Sequence, residues 1–214
     1  MASKKVRRGR FIVFEGIDGA GTTTQMERLV AWLRRRGELA EATAEPTTGP
    51  IGTLIRQVLG GRLVSKPSGA EAQGVDRTTI ALLFAADRID HLQNEIEPHL
   101  AAGRHVVCDR YVLSSMAYQG VDVDLKFVRS INIKAPAPDL TIFIKVSAEV
   151  AMQRIATSRP DRDLFETLPF QRKVAEGYEL CAEAYREGPV VILDGEASMD
   201  RVTTEVQRAV EPLL

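Results

Sequence analysis

The sequence predicts an α/β fold, a five-stranded parallel sheet covered by helices on both faces so that three layers form. Short apolar runs of strand length alternate with longer segments of helical periodicity, the pattern left by parallel strands joined through helical crossovers. The first of those runs passes straight into a glycine-rich loop and then a helix start. The glycine loop, Ala44-Glu45-Pro46 and Asp109-Arg110 all fall at expected strand ends. In open α/β sheets ligands collect at those carboxyl ends.

Phe11 to Glu15 reads as a buried strand because its first four residues are continuously apolar. Thr24 to Arg36 reads as a helix, with Thr24 and Glu27 spaced as a capping box and Gly37 as the stop. Glu38 to Ala44 gives a second strand and Ile51 to Leu59 a short helix, followed by a polar, glycine-bearing connection from Gly60 to Gly74. Helical periodicity then runs from Val75 towards Ala101, where Pro98 should disturb the last turns, since proline lacks an N–H and crowds the preceding turn. His105 to Asp109, Leu140 to Val146 and Val190 to Leu193 complete the strands, and Ala148 to Ala156, Pro169 to Arg186 and Met199 to Leu214 read as helices. From Thr157 to Glu166 the polar run around Ser158, Arg159, Pro160, Asp161, Arg162 and Asp163 breaks the apolar periodicity and marks a hinged or lid segment.

At 214 residues and 44% hydrophobic content the chain suits one well-buried core, so a single domain over 1–214 is expected. A formal net charge of -1 gives no overall attraction to polyanions, and neither nucleic acid nor membrane is expected as a partner. The basic residues 1–9 read as a solvated tail rather than a phosphate-contacting arm, and the apolar run that follows is far too short for a membrane span. Cys108 and Cys181 lack partners at disulfide or metal-ligand spacing, which suits ordinary core thiols in a reduced, cytoplasmic compartment.

The segment Gly16-Ile17-Asp18-Gly19-Ala20-Gly21-Thr22-Thr23 matches the phosphate-binding pattern G-x-x-x-x-G-K-[ST] except that Thr22 stands at the lysine. Gly16, Gly19, Ala20, Gly21, Thr22, Thr23 and Thr24 are therefore the expected phosphate-binding set, because glycines let backbone N–H groups close around an anion at a helix N-terminus. Thr23 would supply the hydroxyl that holds Mg²⁺ in such loops, or else simply cap the helix. Asp18, a carboxylate among phosphates, needs a metal, a cationic side chain or a substrate hydroxyl to face. Asp109 and Arg110 form either a plain ion pair or a phosphate fork with its supporting carboxylate. Phe84 and Arg88 share a helix face, as core packing or as a base-stacking ring with a polar reader beside it. Arg154, Arg159 and Arg162 bracket the candidate lid, either solvated or closing over transferring phosphates.

Together the motifs resemble the thymidylate kinase family of P-loop nucleoside monophosphate kinases, from Phe11 to about Tyr185. The resemblance rests on Phe14-Glu15-Gly16-Ile17-Asp18-Gly19-Ala20-Gly21, Glu45-Pro46, Leu83-Phe84-Ala85-Ala86-Asp87-Arg88, Asp109-Arg110-Tyr111, Ser114 to Gly120 and Pro138-Asp139-Leu140-Thr141. It implies a P-loop NTPase fold with a short lid, and transfer of the ATP γ-phosphoryl group to dTMP with Mg²⁺ held near Thr23 and Asp109. Phe84 would stack on thymine, Arg88 contact the base or monophosphate, and Ser115 and Gln119 line the thymine edge. Tyr118 would crowd the sugar 2′ position. Arg110, supported by Asp109, would bind phosphate where donor and acceptor meet, with Asp18 facing the acceptor. In the bacterial branch a lid arginine replaces one that eukaryotic members carry in the glycine loop; Gly19 leaves this loop without one, which gives Arg159 and Arg162 catalytic weight. A homodimer is also implied.

Two departures remove positive charge from the phosphate region: Thr22 at the lysine position, and Ala44 where many bacterial members have arginine. No lysine occurs between Arg7 and Ser65, so a shift of register cannot restore the ammonium. Losing one preorganised cationic contact costs about 2.7–4 kcal/mol of transition-state stabilisation. The expectation is a dTMP kinase slowed by Thr22; the alternatives are a catalytically weakened nucleotide-binding or sensing protein, and a kinase for another monophosphate.

Overall fold

All five expected strands form. In the computed structural model, which describes residues 7–66, 68, 71–158 and 167–214, these are β1 (Phe11–Glu15), β2 (Ala40–Ala44), β3 (His105–Asp109), β4 (Leu140–Lys145) and β5 (Val190–Asp194). They form one parallel sheet in the order β2-β3-β1-β4-β5. The first strand thus lies in the middle, with Phe14 opposite Asp109 of β3 and Glu15 opposite Phe143 of β4. That register brings the glycine loop and Asp109-Arg110 side by side.

The period of two along β1 assigns its residues to two faces. Ile12 and Phe14 join a large cluster with Leu29 and Leu33 of α1 (Thr22–Arg35) and Val202 and Val206 of α9 (Met199–Val210). Phe11 and Val13 join a second cluster with Val106 and Cys108 of β3 and with Leu92, Ile96 and Leu100. The layers on either side of the sheet are those two clusters. Between them the chain adds α2 (Pro50–Leu59), α3 (Arg77–His91), α4 (Glu97–Ala101), α5 (Val112–Tyr118), α6 (Leu125–Ile131), α7 (Ala148–Ser158) and α8 (Leu168–Ala184). No helix of the described residues is long and apolar enough to cross a membrane.

Four local readings are corrected. The first helix starts at Thr22, not Thr24, and its N-cap is Gly21 at φ 92° with no side-chain cap, so Thr24 belongs to the first turn and makes no capping box. The long helix expected over 75–101 is divided: α3, capped by the Asp76 carboxylate accepting from Thr78 and Thr79 amides, gives way to a π turn at Leu92–Ile96 before α4. The widened turn lies immediately before Pro98, so the break comes ahead of the proline that cannot join the ladder. Two helices, α5 and α6, fill the gap between β3 and β4, where no individual helix was bounded from the sequence. At the start, Gly9 is buried, its amide donating to Leu100 O at 2.8 Å, whereas Arg7 and Arg8 are exposed, Arg7 Nη1 reaching Leu214 O at 2.8 Å. Of the lid segment, Thr157 and Ser158 continue α7; Arg159 and Arg162 lie outside the described residues.

Candidate active site

The glycine loop is built as an anion cradle. Gly19 and Gly21 both take positive φ, 81° and 92°, a region open to glycine at little cost. Gly19 is required twice over, because a Cβ there would stand 2.5 Å from the Ala151 carbonyl of α7. The Gln25 amide donates to Gly21 O at 3.1 Å and is the first to enter the α1 ladder. The amides of Thr22, Thr23 and Thr24 precede it at the positive end of the helix, whose first turn carries no acidic residue. Thr22 is 6% exposed and sits against Gly16, its Cγ2 3.2 Å from where a Gly16 Cβ would lie.

Asp18 faces a cation, as its position in the loop demanded. Arg110 Nη2 donates to Asp18 Oδ1 at 2.7 Å, while Tyr118 OH and Gln171 Nε2 both donate to Oδ2 at 2.9 Å. The Asp18 amide donates back to the Tyr118 hydroxyl oxygen at 3.0 Å. Arg110 Nη1 also donates to Gly16 O at 3.2 Å, and the guanidinium lies 5.0 Å over the Tyr118 ring. The Arg110 backbone is at φ 74°, a left-handed conformation that costs a non-glycine residue of order 1–3 kcal/mol and concentrates at functional sites. Its amide bond to Phe14 O at 2.8 Å helps to hold that conformation at the end of β3.

Thr23 and Asp109 meet directly, the Thr23 hydroxyl donating to Asp109 Oδ2. Asp109 Oδ1 is buried and has no hydrogen-bond partner among the described residues. A hydroxyl and a carboxylate converging at the phosphate end of the loop are hard oxygen donors of the kind Mg²⁺ takes, one or two from protein and the rest from phosphate and water. The described residues hold no group of three His, Cys, Asp or Glu that would make a cage without the nucleotide.

Behind this layer sits Glu15, which the sequence reading assigned no chemistry. It is 1% exposed and accepts from the Tyr111 amide at 3.0 Å, from the Ser114 hydroxyl, and from Tyr178 OH at 3.0 Å. Burial pushes its carboxyl up to about 7, against the pull of Ser114, Arg110 and Tyr178. One carboxylate thereby ties β1 to the start of α5 and to α8.

A second wall is formed by α3 and α5, which are joined through Arg88 and Ser115. Phe84 is half-buried and Arg88, one turn on, is 1% exposed. Arg88 does not reach openly into the cleft as a free polar reader; it is a buried junction. Its Nη2 is 2.7 Å from Glu45 Oε2 and donates to Tyr111 O at 2.9 Å, and its Nη1 donates to Ser115 Oγ at 3.1 Å and to Asn132 Oδ1. Two polar atoms in this wall lack hydrogen-bond partners among the described residues, the Arg88 Nε donor and the Gln119 Oε1 acceptor. Gln119 follows Ser115 by one helical turn. Asp87 anchors the same helix to the strand-end loop, accepting from the Thr47 amide at 2.7 Å and the Thr47 hydroxyl at 2.6 Å.

On the other side of the glycine loop a cleft of about 640 Å³ is lined by Gly19, Gly21, Thr24, Arg154, Gly195 and Ala197 among others. Arg154 Nη2 donates to Gly195 O at 2.9 Å and Nη1 reaches Gly19 O at 3.5 Å. Asp18, Thr23, Asp109, Arg110 and Tyr118 are thus linked around the glycine loop, Arg154 contacts the loop at Gly19 and lines the cleft beside it, and Phe84, Arg88, Ser115 and Gln119 belong to the α3–α5 wall. Glu15 and Gln171 were missed. Gln171 is in register with Val174, Tyr178 and Cys181 on the buried face of α8, and a glutamine on an apolar stripe was the available signal.

Comparison with known proteins agrees with this geometry. A family model described as "Thymidylate kinase" matches residues 14–206. A thymidylate kinase of Trichormus variabilis is 35% identical over 213 residues, 96% of this chain and 97% of that protein. Another, of Nostoc punctiforme, is 35% identical over 209 residues, covering 93% of this chain and 94% of that one. A relative of the same family name from Methanococcus vannielii is 43% identical over 175 residues, 81% of this chain and 78% of its own length.

Proposed function

The chain belongs to the thymidylate kinase family and is a nucleoside monophosphate kinase that phosphorylates dTMP with ATP, and from that premise we propose how its residues divide the work. The observation that carries the reading is the convergence of Asp18, Thr23, Asp109 and Arg110 on one end of an amide cradle.

ATP lies with its phosphates along the amides of Gly19 to Thr24 and its nucleoside in the cleft beside Arg154. The dTMP base stacks on Phe84. Its edge presents a carbonyl acceptor and an N–H donor, which match the unpaired Arg88 Nε and Gln119 Oε1. Arg88 is held for that contact by Glu45, Ser115 and Tyr111. Tyr118, fixed by Asp18, crowds the sugar 2′ position. The dTMP phosphate oxygen attacks Pγ, the bond to the ADP oxygen breaks, and Arg110 neutralises charge where the two phosphate chains meet. The acceptor is already ionised near neutral pH, so no strong base is needed. Thr23 and Asp109 are the residues that would hold Mg²⁺, which when bound shields the transferring phosphoryl group's charge. Arg159 and Arg162 complete the proposed catalytic set from the lid. A homodimer rests on the family resemblance, with Leu54 of α2 and Leu82 of α3 among the exposed apolar side chains. Two buried, free cysteines are in keeping with a cytoplasmic location.

The test is ADP formation with thymidine, uridine, cytidine and guanosine monophosphates in turn. Turnover should require the thymidine nucleotide, and Phe84→Ala should raise its KM by about 5- to 150-fold, the equivalent of roughly 1–3 kcal/mol of base stacking. Nucleotide binding without ADP formation would instead make the chain a sensor.

A further inference from the structure

We propose that His91 is a positioning residue for base recognition, orienting the Glu45 carboxylate and, through it, the Arg88 guanidinium. The role rests on the dTMP kinase reading and deepens it by naming a residue that sets specificity without touching the nucleotide.

His91 is the last residue of α3, and its spacing from Phe84 and Arg88 puts all three on one face of that helix. The π turn Leu92–Ile96 starts at the next residue, an irregularity that gathers at functional sites. The His91 side chain is fully buried, and both ring nitrogens are engaged. Nδ1 lies 3.2 Å from Glu45 Oε1, and Nε2 lies 2.7 Å from the Thr43 hydroxyl oxygen. Glu95 Oε2, 3.6 Å from Nε2, is beyond hydrogen-bond reach. A carboxylate only accepts, so Nδ1 must carry a hydrogen. In the neutral ring Nε2 is then the acceptor, and the Thr43 hydroxyl is its donor.

The hold on Glu45 matters because of what its other oxygen faces. Glu45 Oε2 is 2.7 Å from Arg88 Nη2, yet it has no hydrogen bond among the described residues, so charge attraction alone draws the two together. The bond from His91 to Oε1 is the directional one. Arg88 commits its Nη atoms to Ser115, Asn132 and Tyr111 O, which leaves Nε, the donor assigned to the base, unpaired. Carboxylates and guanidinium groups favour a two-point fork when both are free to align. Without the His91 donor, Glu45 can turn to engage Nε together with Nη2, and the base then loses its donor. The imidazole thus keeps Arg88 available for the nucleotide by keeping Glu45 from taking all of it.

Three substitutions separate the two ends of the ring. His91→Asn keeps a donor near the Nδ1 position, His91→Gln keeps a polar atom near Nε2, and His91→Leu keeps neither; thermal unfolding verifies that each folds. His91→Gln and His91→Leu should raise the KM for dTMP by at least about fivefold, the lower end of what an unsatisfied buried acceptor costs. The KM for ATP and kcat should stay within about twofold, as should all three constants in His91→Asn. Preference in kcat/KM for dTMP over deoxycytidine monophosphate, whose edge exchanges donor and acceptor, should fall in the same variants that lose dTMP affinity. Thr43→Val, at the less buried end of the relay, should raise the dTMP KM about twofold and decides the matter if the His91 variants do not fold. In the unaltered chain, with three histidines to assign, nitrogen NMR should place a hydrogen on His91 Nδ1. Equal dTMP KM values for the Asn and Gln variants, ATP and dTMP KM values that rise together, a dTMP KM unmoved by Thr43→Val, or a bare Nδ1 would overturn the proposal. If the unaltered chain makes no ADP from dTMP, the kinase reading fails, while calorimetric dTMP affinities of the same variants still decide what His91 does.

Discussion

Glu15 shows how much a single buried carboxyl can impose on this site. Burial pushes its carboxyl from the usual 4.5 up to about 7, so between those values the folded chain holds a proton that the unfolded chain has released. A raised folded-state value means the associated stability is complete below pH 4.5 and is lost as pH rises through about 7. The window corresponds to roughly 3 kcal/mol at 1.36 kcal/mol per unit. Urea unfolding at pH 5 and pH 8 should show the unaltered chain losing more stability over that interval than Glu15→Gln; identical losses would mean that another group governs the slope. Thr22 and Asp18 were legible because a known loop pattern sets the spacing against which each can be judged, and Arg110 because it follows an aspartate at the end of an apolar run. Glu15 was not, since a glutamate after an apolar run looks like the end of a strand. Its donors, Ser114 and Tyr178, are far along the chain, so only tertiary packing reveals that it is enclosed. Arg88 was assigned to the right wall, but helical spacing fixes direction and not depth.

At the scale of elements, position matters through contacts between main chains. Gly52 of α2 approaches the strand-end loop so closely that a Cβ would lie 2.0 Å from Thr47 O and 2.6 Å from Thr47 N. Both are backbone atoms, so a methyl group there must push the helix or the loop away. Thr47 is the residue that Asp87 holds, and Asp87 belongs to the helix that carries Phe84 and Arg88. Gly52→Ala should therefore raise the KM for dTMP by at least about tenfold while changing that for ATP far less, a split that steady-state kinetics with each substrate varied will measure. A uniform loss would point to general destabilisation. Four of the five strands were legible from apolar runs of strand length, and β2, Ala-Glu-Ala-Thr-Ala, only from its alternation. Their order was not, because neighbours in a parallel sheet are chosen by crossovers rather than by local pattern. The seven-residue α5 and α6 escaped for a related reason: fewer than two full turns leave too little periodicity to separate helix from loop.

Across the whole molecule, the site exists only when distant parts of the chain are brought together. Asp18 is gripped by Arg110, Tyr118 and Gln171, which lie 92, 100 and 153 positions further along. The wall of Phe84 and Arg88 likewise joins α3 to α5, and the cleft beside Arg154 joins the glycine loop to α7 and the end of β5. An unfolded chain retains none of these contacts, so a ligand of the site binds the folded state alone and stabilises it by mass action. At about 100 times its Kd, dTMP should add about 2.7 kcal/mol, which for a chain of this size raises the unfolding midpoint by roughly 5–10 °C. Guanosine monophosphate at the same concentration should give no comparable rise, because a purine does not fit a wall set for the pyrimidine edge. Phe84→Ala, at that unchanged dTMP concentration, should lose roughly a third to nine tenths of the rise, as a 5- to 150-fold weaker binding requires. Calorimetric scans with each nucleotide measure all three. Equal rises with both bases would place recognition in the phosphate contacts alone, and the stacking ring and its buried amide acceptor would then have no part in choosing the substrate.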